Sequence, residues 1–206
     1  METFPTDEKK IRSRISSYKS ALKKEKTNFG CYSDGSGKRY SLFLLHFALG
    51  DLKKLESYMS WFQENFADDT GEPAQQLCWA FGLNRMGQES EAKYRLADLM
   101  LSNLYIIPQL LGREIQEHDM WHSSNLQHSD YINYIPKELL EAFTKQDLEW
   151  AEEQFDSFQF AGIRKKHIEL YSELEKTKDV ESRGKILEKA QALLKALERG
   201  AANKPV

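Results

Sequence analysis

The sequence predicts an all-α fold, and three observations carry that prediction. Apolar residues recur every three or four positions through most of the chain, glycine and proline punctuate those runs where helices should stop and start, and no segment alternates as a strand would. Two stretches, Ser41 to Phe66 and Ala74 to Leu101, repeat one pattern of apolar run, glycine turn and amphipathic run. Their turn glycines, Gly50 and Gly87, are separated by a distance within the roughly 20 to 50 residues at which self-similar helical pairs stack into arrays.

The elements follow in order. Ile11, Ile15, Tyr18 and Leu22 share one stripe of a helix from about Asp7 to Lys26, whose other faces carry Lys9, Lys10, Arg12, Arg14, Lys19, Lys23, Lys24 and Lys26. Asn28 to Lys38 holds three glycines and reads as a loop. Tyr40 to Leu49 is apolar on nearly every side and predicts a buried helix, stopped at Gly50 and restarted at Asp51. Leu52, Leu55, Met59, Phe62 and Phe66 give the next helix a single core-facing stripe. Pro73 suits the first turn of a helix to Met86, Gly87 closes it, and Ala92, Leu96, Leu99 and Met100 stripe its partner.

From Gly112 to Ile135 the chain mixes His, Asn, Ser, Asp and aromatic residues without a sustained helical period. That predicts a long ordered loop, and connections of this length within compact domains are commonly functional. Pro136 opens a short helix to Phe143, and Thr144 caps the next. Further helices are expected near 145 to 155, 160 to 177 and from Val180, the last seamed by Ile186, Leu187, Ala190, Leu193, Leu194 and Leu197, ended by Gly200 and frayed from Ala201 to Val206. The whole, residues 1–206, reads as one domain: a basic helix over 7–26, a repeat-like core over 36–104, the insertion over 112–135 and C-terminal helices over 136–200.

Composition narrows the function classes. The 206 residues are 40% hydrophobic and 30% charged, with 11 Phe, 9 Tyr and 4 Trp, enough to build a core and argue against whole-chain disorder. A net charge of -3 leaves no global basic field of the kind that marks a dedicated nucleic-acid binder. Cys31 and Cys78 form no Cys-x-x-Cys pair and no disulfide framework, and the charged first ten residues do not resemble a secretory signal. No run approaches the ~18 apolar residues of a membrane span. The chain is therefore expected to be cytoplasmic, away from membranes and without a cofactor.

Gly87, Ala92 and Leu96, with Glu89 and Glu91 between them, resemble the most diagnostic part of the tetratricopeptide repeat, where Gly turns the chain and Ala permits close helix packing. Gly50, Leu55 and Met59 resemble a second copy, and the likeness covers about residues 36 to 104. Arg39 and Gln76 stand where the family prefers Trp, Leu55 replaces its small Ala, and Ala67 and Leu104 replace its Pro. The resemblance implies that the first helix of each pair lines a concave groove. Matching positions there are Tyr40, Leu44 and Phe47, then Leu77, Phe81, Asn84 and Arg85, with Trp121 of the insertion as a further partner-binding candidate. The Lys and Asn set by which some members clamp a peptide's terminal carboxylate has Tyr40 and Leu44 in two of its places, so a chaperone-tail receptor is not implied.

Chemical motifs are sparse. Gly35, Ser36, Gly37 and Lys38 suggest a phosphate loop, but Tyr32 and Arg39 stand where its first Gly and its Ser or Thr belong. No Gly-x-Ser-x-Gly elbow occurs. His118 and His122, at i and i+4, would share a helical face, and Glu117, Asp119 and His128 could complete a metal shell. Yet Asp119 takes the place of the Glu that follows the first His in zinc proteases. The reading these observations favour is a non-catalytic module that binds another protein or peptide, as an adaptor or as an antidote of the immunity type. The alternatives are a metal-dependent enzyme centred on His118 and His122, and nucleic-acid binding by the basic N-terminal helix.

Overall fold

Stacked helices account for the architecture, as the apolar periodicity predicts. The computed structural model describes residues 3–202, the stretch 196–202 by its backbone alone, and no strand occurs among them. Helix α1 (Glu8–Phe29) starts at Asp7, whose carboxylate accepts the Lys10 amide at 3.0 Å, and it buries Ile11, Ile15 and Leu22 while Tyr18 is half-buried. It runs into the stretch expected to be loop and stops at Gly30. The stretch up to Gly37 then turns the chain.

Helices α2 (Lys38–Ala48) and α3 (Leu52–Asn65) form the first hairpin, and α4 (Pro73–Arg85) and α5 (Glu89–Ser102) form the second. Gly50 and Gly87 sit at the two turns with φ of 71° and 74°, a left-handed conformation that a side chain would strain. Asp51 caps α3 by accepting the Lys54 amide. Pro73 occupies the first turn of α4, where its missing N–H costs nothing.

Helix α4 is the axis of the molecule. Every residue from Pro73 to Leu83 is buried, because α5, α2, α3 and, at the C-terminal end, α8 enclose it. The stripe of Ala92, Leu96, Leu99 and Met100 on α5 is fully buried against it. Close approach to α3 is set by Gly82, where an added Cβ would stand 2.6 Å from Leu55 Cδ2 and 3.0 Å from Met59 Cε. Thus Leu55, large where the repeat family has Ala, is matched by an absent side chain on the facing helix.

After α6 (Ile106–Leu110) the chain lacks regular structure to residue 122, then makes two short 3-10 turns, Asn125–Gln127 and Ser129–Tyr134. Helix α7 (Lys137–Leu140) is shorter than expected. Helix α8 (Lys145–Asp156) begins at the expected cap, with Thr144 Oγ1 accepting the Asp147 amide and the Asp147 carboxylate accepting the Thr144 amide. Helices α9 (Phe158–Lys176) and α10 (Val180–Ala202) pack on each other and on α5, adding a third helical pair to the stack. Ile186 and Ala190 bury the seam of α10, with Leu187, Leu193 and Leu194 half-buried. Gly200 does not end this helix, which continues to Ala202. The expected place of Leu197 in the seam and the fraying of the last residues fall outside what is described there. Among the described residues no helix is long and apolar enough to cross a membrane.

Candidate functional site

A cleft of about 1090 Å³ opens between α1, α2, the start of α4 and the insertion. Its walls come from separate parts of the chain: Arg14 and Tyr18 from α1, Ser41, Leu44 and Leu45 from α2, Glu72 and Ala74 where α4 begins, and Glu117 with the 125–136 stretch from the insertion. Helical spacing explains the first two contributions, since residues four apart share a face. Leu44 is half-buried and faces the opening, Leu45 is buried at the foot of the same wall, and Leu42, Phe43 and His46 turn to the core.

The insertion is held in place by side chains that satisfy its backbone. Asn103, 1% exposed just past α5, donates to the carbonyls of Leu126 at 2.7 Å and His128 at 3.1 Å, and its Oδ1 accepts the amides of Tyr105 and Ile106. Gln109 donates to Ser129 O at 2.8 Å, and Ser129 Oγ donates to Glu117 at 2.6 Å. Tyr131, buried by the cleft, accepts the Ala74 amide at 3.4 Å, and burial pushes its phenol up to about 12. A stretch without helical period is therefore an ordered wall.

Electrostatically the cleft leans negative. Glu72, Glu117 and Asp130 face one guanidinium, Arg14, with His128 beside them. Burial raises the Glu72 carboxyl above its ordinary range, outweighing the nearby Arg39 charge. Tyr18, Tyr131, Tyr134 and Phe4 supply aromatic surface, and Tyr134 is 64% exposed.

The groove positions implied by the repeat likeness divide sharply. Leu44 lines the cleft. Phe47 and Phe81 do not present a surface at all: both are buried, and the chain's own Phe143 fills the space between them, 5.5 and 5.1 Å from their rings, with Trp150 of α8 6.1 Å from Phe81. Leu77 is likewise core. Arg85 is held by Asp147 through Nε at 3.0 Å, donates to Ala142 O at 2.9 Å and lies 4.3 Å over the Phe47 ring. Phe143 and α8 thus cover that end of the expected groove, and Asn84 remains half-buried beside it. Tyr40 is tied down: its hydroxyl donates to Asp69 at 2.6 Å and receives a bond from Arg39, which also pairs with Asp34 at 3.1 Å and Asp69 at 2.6 Å. Trp121 packs on Tyr171 at 5.9 Å under Arg183, away from the cleft.

No protein-family model, curated protein or solved structure matches this chain. The two hairpins turn at Gly50 and Gly87 and stack with the helices around them.

The histidine constellation rests on a helix that does not form. Residues 113–122 are irregular, so His118 and His122 do not share a helical face. His118 stacks on Tyr105 at 6.2 Å, whereas His122 lies against His128 with ring centroids 4.7 Å apart. Partial burial and the His128 charge pull His122 below the usual imidazole range. Among the described residues no three His, Cys, Asp or Glu side chains converge as a metal shell. The glycine-rich turn at 35–38 is likewise structural: Asp34, 2% exposed, accepts the Lys38 and Arg39 amides at 2.8 Å each and so caps α2 itself.

Sequence reasoning missed Tyr18, Glu72, Tyr131 and Asn103 as parts of the site. Tyr18 reads as core by spacing, and Glu72 stands just before Pro73, at the start of α4. The aromatic pair Tyr131 and Tyr134, three apart in a polar stretch, was a usable signal, as was an Asn directly after a helix.

Proposed function

We propose that the protein is a non-catalytic binding module of tetratricopeptide-like build, whose cleft holds an extended segment of a partner protein. The observation that carries this reading is the cleft itself. Its volume of about 1090 Å³ stands at the top of the roughly 300–1,000 Å³ range of ligand sites, and its walls, drawn from α1, α2, the start of α4 and the insertion, carry aromatic, aliphatic and polar side chains with a few carboxylates. Three acids against one arginine favour a segment bearing Lys or Arg, whose long stems would lie along Leu44 and the tyrosines. An adaptor and an immunity-type antidote both need only such a complementary surface. Two free thiols, one of them exposed, fit a reducing compartment such as the cytoplasm.

Affinity capture from the native host tests the reading. The wild-type chain should retain one protein reproducibly, Leu44→Arg should lose it by filling and recharging the cleft, and Asn103→Ala should weaken it by freeing the insertion. Capture of the same partner by wild type and Leu44→Arg alike would refute the assignment of the cleft. So would the absence of any reproducible partner.

A further inference from the structure

Helix α1 has a second flank, turned away from the cleft. There Lys19, Leu22 and Lys23 face Tyr32 and the Ser57, Tyr58 and Trp61 side of α3 across a groove of about 370 Å³. The size falls within the roughly 300–1,000 Å³ range of small-ligand sites. Its only charged lining groups are the two lysines.

Lys54, Lys93, Lys145, Lys165 and Lys185 each sit within ion-pairing distance of a carboxylate three or four residues away. Among the described residues neither Lys19 nor Lys23 has such a partner, and Glu25 on the same helix is spent on the Asp34 amide at 2.9 Å. Partial burial, and then the neighbouring Lys54 charge, pull the Lys19 ammonium below its ordinary range. An anion in the groove would relieve both charges.

Three of the other lining residues are aromatic. Tyr58, 2% exposed, forms the floor; Trp61 stacks on it at 5.3 Å, and Tyr32 meets Trp61 edge-on at 5.5 Å. Lys19 Nζ lies 5.6 Å from the centre of the Tyr58 ring, and Lys26 adds a third ammonium at the rim, 5.2 Å from that of Tyr32. Paired ammonium groups over flat rings suit a ligand that is both anionic and planar. The Ser57 hydroxyl donates to Lys53 O at 2.9 Å and keeps its lone pairs for a donor on the ligand, such as the exocyclic amine of a base.

We propose that the groove between α1 and α3 is a nucleotide site, with the phosphate on Lys19 and Lys23 and the base against Trp61 and Tyr32. The nucleotide is either free or part of a single strand. This site is independent of the protein-binding cleft.

Isothermal titration of the full chain with AMP, adenosine, inorganic phosphate, phosphotyrosine and a short single-stranded oligoadenylate tests it. AMP should bind at least 10-fold more tightly than adenosine, phosphate or phosphotyrosine. Lys19→Gln with Lys23→Gln should weaken AMP at least 10-fold and flatten its salt dependence, while Lys24→Gln, outside the groove, should change neither. Circular dichroism checks that the variant folds. Oligoadenylate binding more tightly than AMP through the same lysines would identify a strand as the source; equal binding would identify the free nucleotide. Failure of AMP to bind, binding untouched by the double substitution, or phosphate or phosphotyrosine matching AMP would overturn the proposal.

Discussion

At the scale of single residues, buried ionisable groups set how this protein responds to acid. His46 and His167 are 1% and 3% exposed, each with at least one ring nitrogen that finds no partner in the fold, and they stack on Tyr58 and Tyr171. Burial depresses both to about 4; for His46 the Lys19 and Lys54 charges add to this and Asp51 opposes it. Neutral in the fold and ordinary when unfolded, these rings contribute stability that is complete above about pH 6.5 and lost as pH falls toward 4, of order 3 kcal/mol for each. Chemical denaturation at pH 7, 5.5 and 4.5 should show that decline, and His46→Phe with His167→Phe should flatten it. Arg85 offers a second test. Asp147 is 2% exposed; burial alone would raise its carboxyl, but the bonds from Arg85 and Thr144 hold it below the ordinary range. Arg85→Ala strands that charge and should cost about 3–5 kcal/mol, whereas Asn84→Ala should stay within about 0.5 kcal/mol. Denaturant midpoints of the two variants check both values.

At the scale of elements, polar networks around Arg39 and Gln76 anchor the two hairpins. Arg39 bridges Asp34 and Asp69 at the start of α2, and Gln76, 4% exposed on α4, donates to Thr70 O at 3.0 Å and Asp98 at 3.3 Å while accepting from Ser102 at 2.6 Å. Arg39 ties the 68–72 turn to the start of α2, and Gln76 ties it to α4, the helix that follows it. Helix contact is also decided by size matching. Gly82→Ala gains about 1 kcal/mol of helix propensity but forces buried Leu55 and Met59 aside, and overpacking costs about 1–3 kcal/mol. The variant should therefore be less stable than wild type by thermal melting. In an exposed helix the same substitution would have the opposite sign.

At the scale of the whole molecule, one continuous apolar cluster runs from Ile11 on α1 through α2–α5 to Tyr131, Leu139 and Phe155. Such continuity predicts a single cooperative transition, with far- and near-ultraviolet circular dichroism melting together. Separate transitions for the N-terminal hairpins and the C-terminal helices would contradict it. The same cluster explains why the expected groove is covered at one end: Phe143 and α8 pack on Phe47 and Phe81, whereas Leu44 lines the cleft.

The sequence by itself determined most of the longer helices, the two glycine turns and several caps, because apolar spacing, Gly50, Gly87, Pro73 and Thr144 act through neighbours a few residues away. It also showed that Gly112 to Ile135 is unlike the rest. Only the tertiary structure decided which end of the groove is free, since Phe81 and Phe143, or Arg85 and Asp147, meet across some sixty residues of chain, and helical periodicity cannot tell a face covered by a distant segment from one left to solvent.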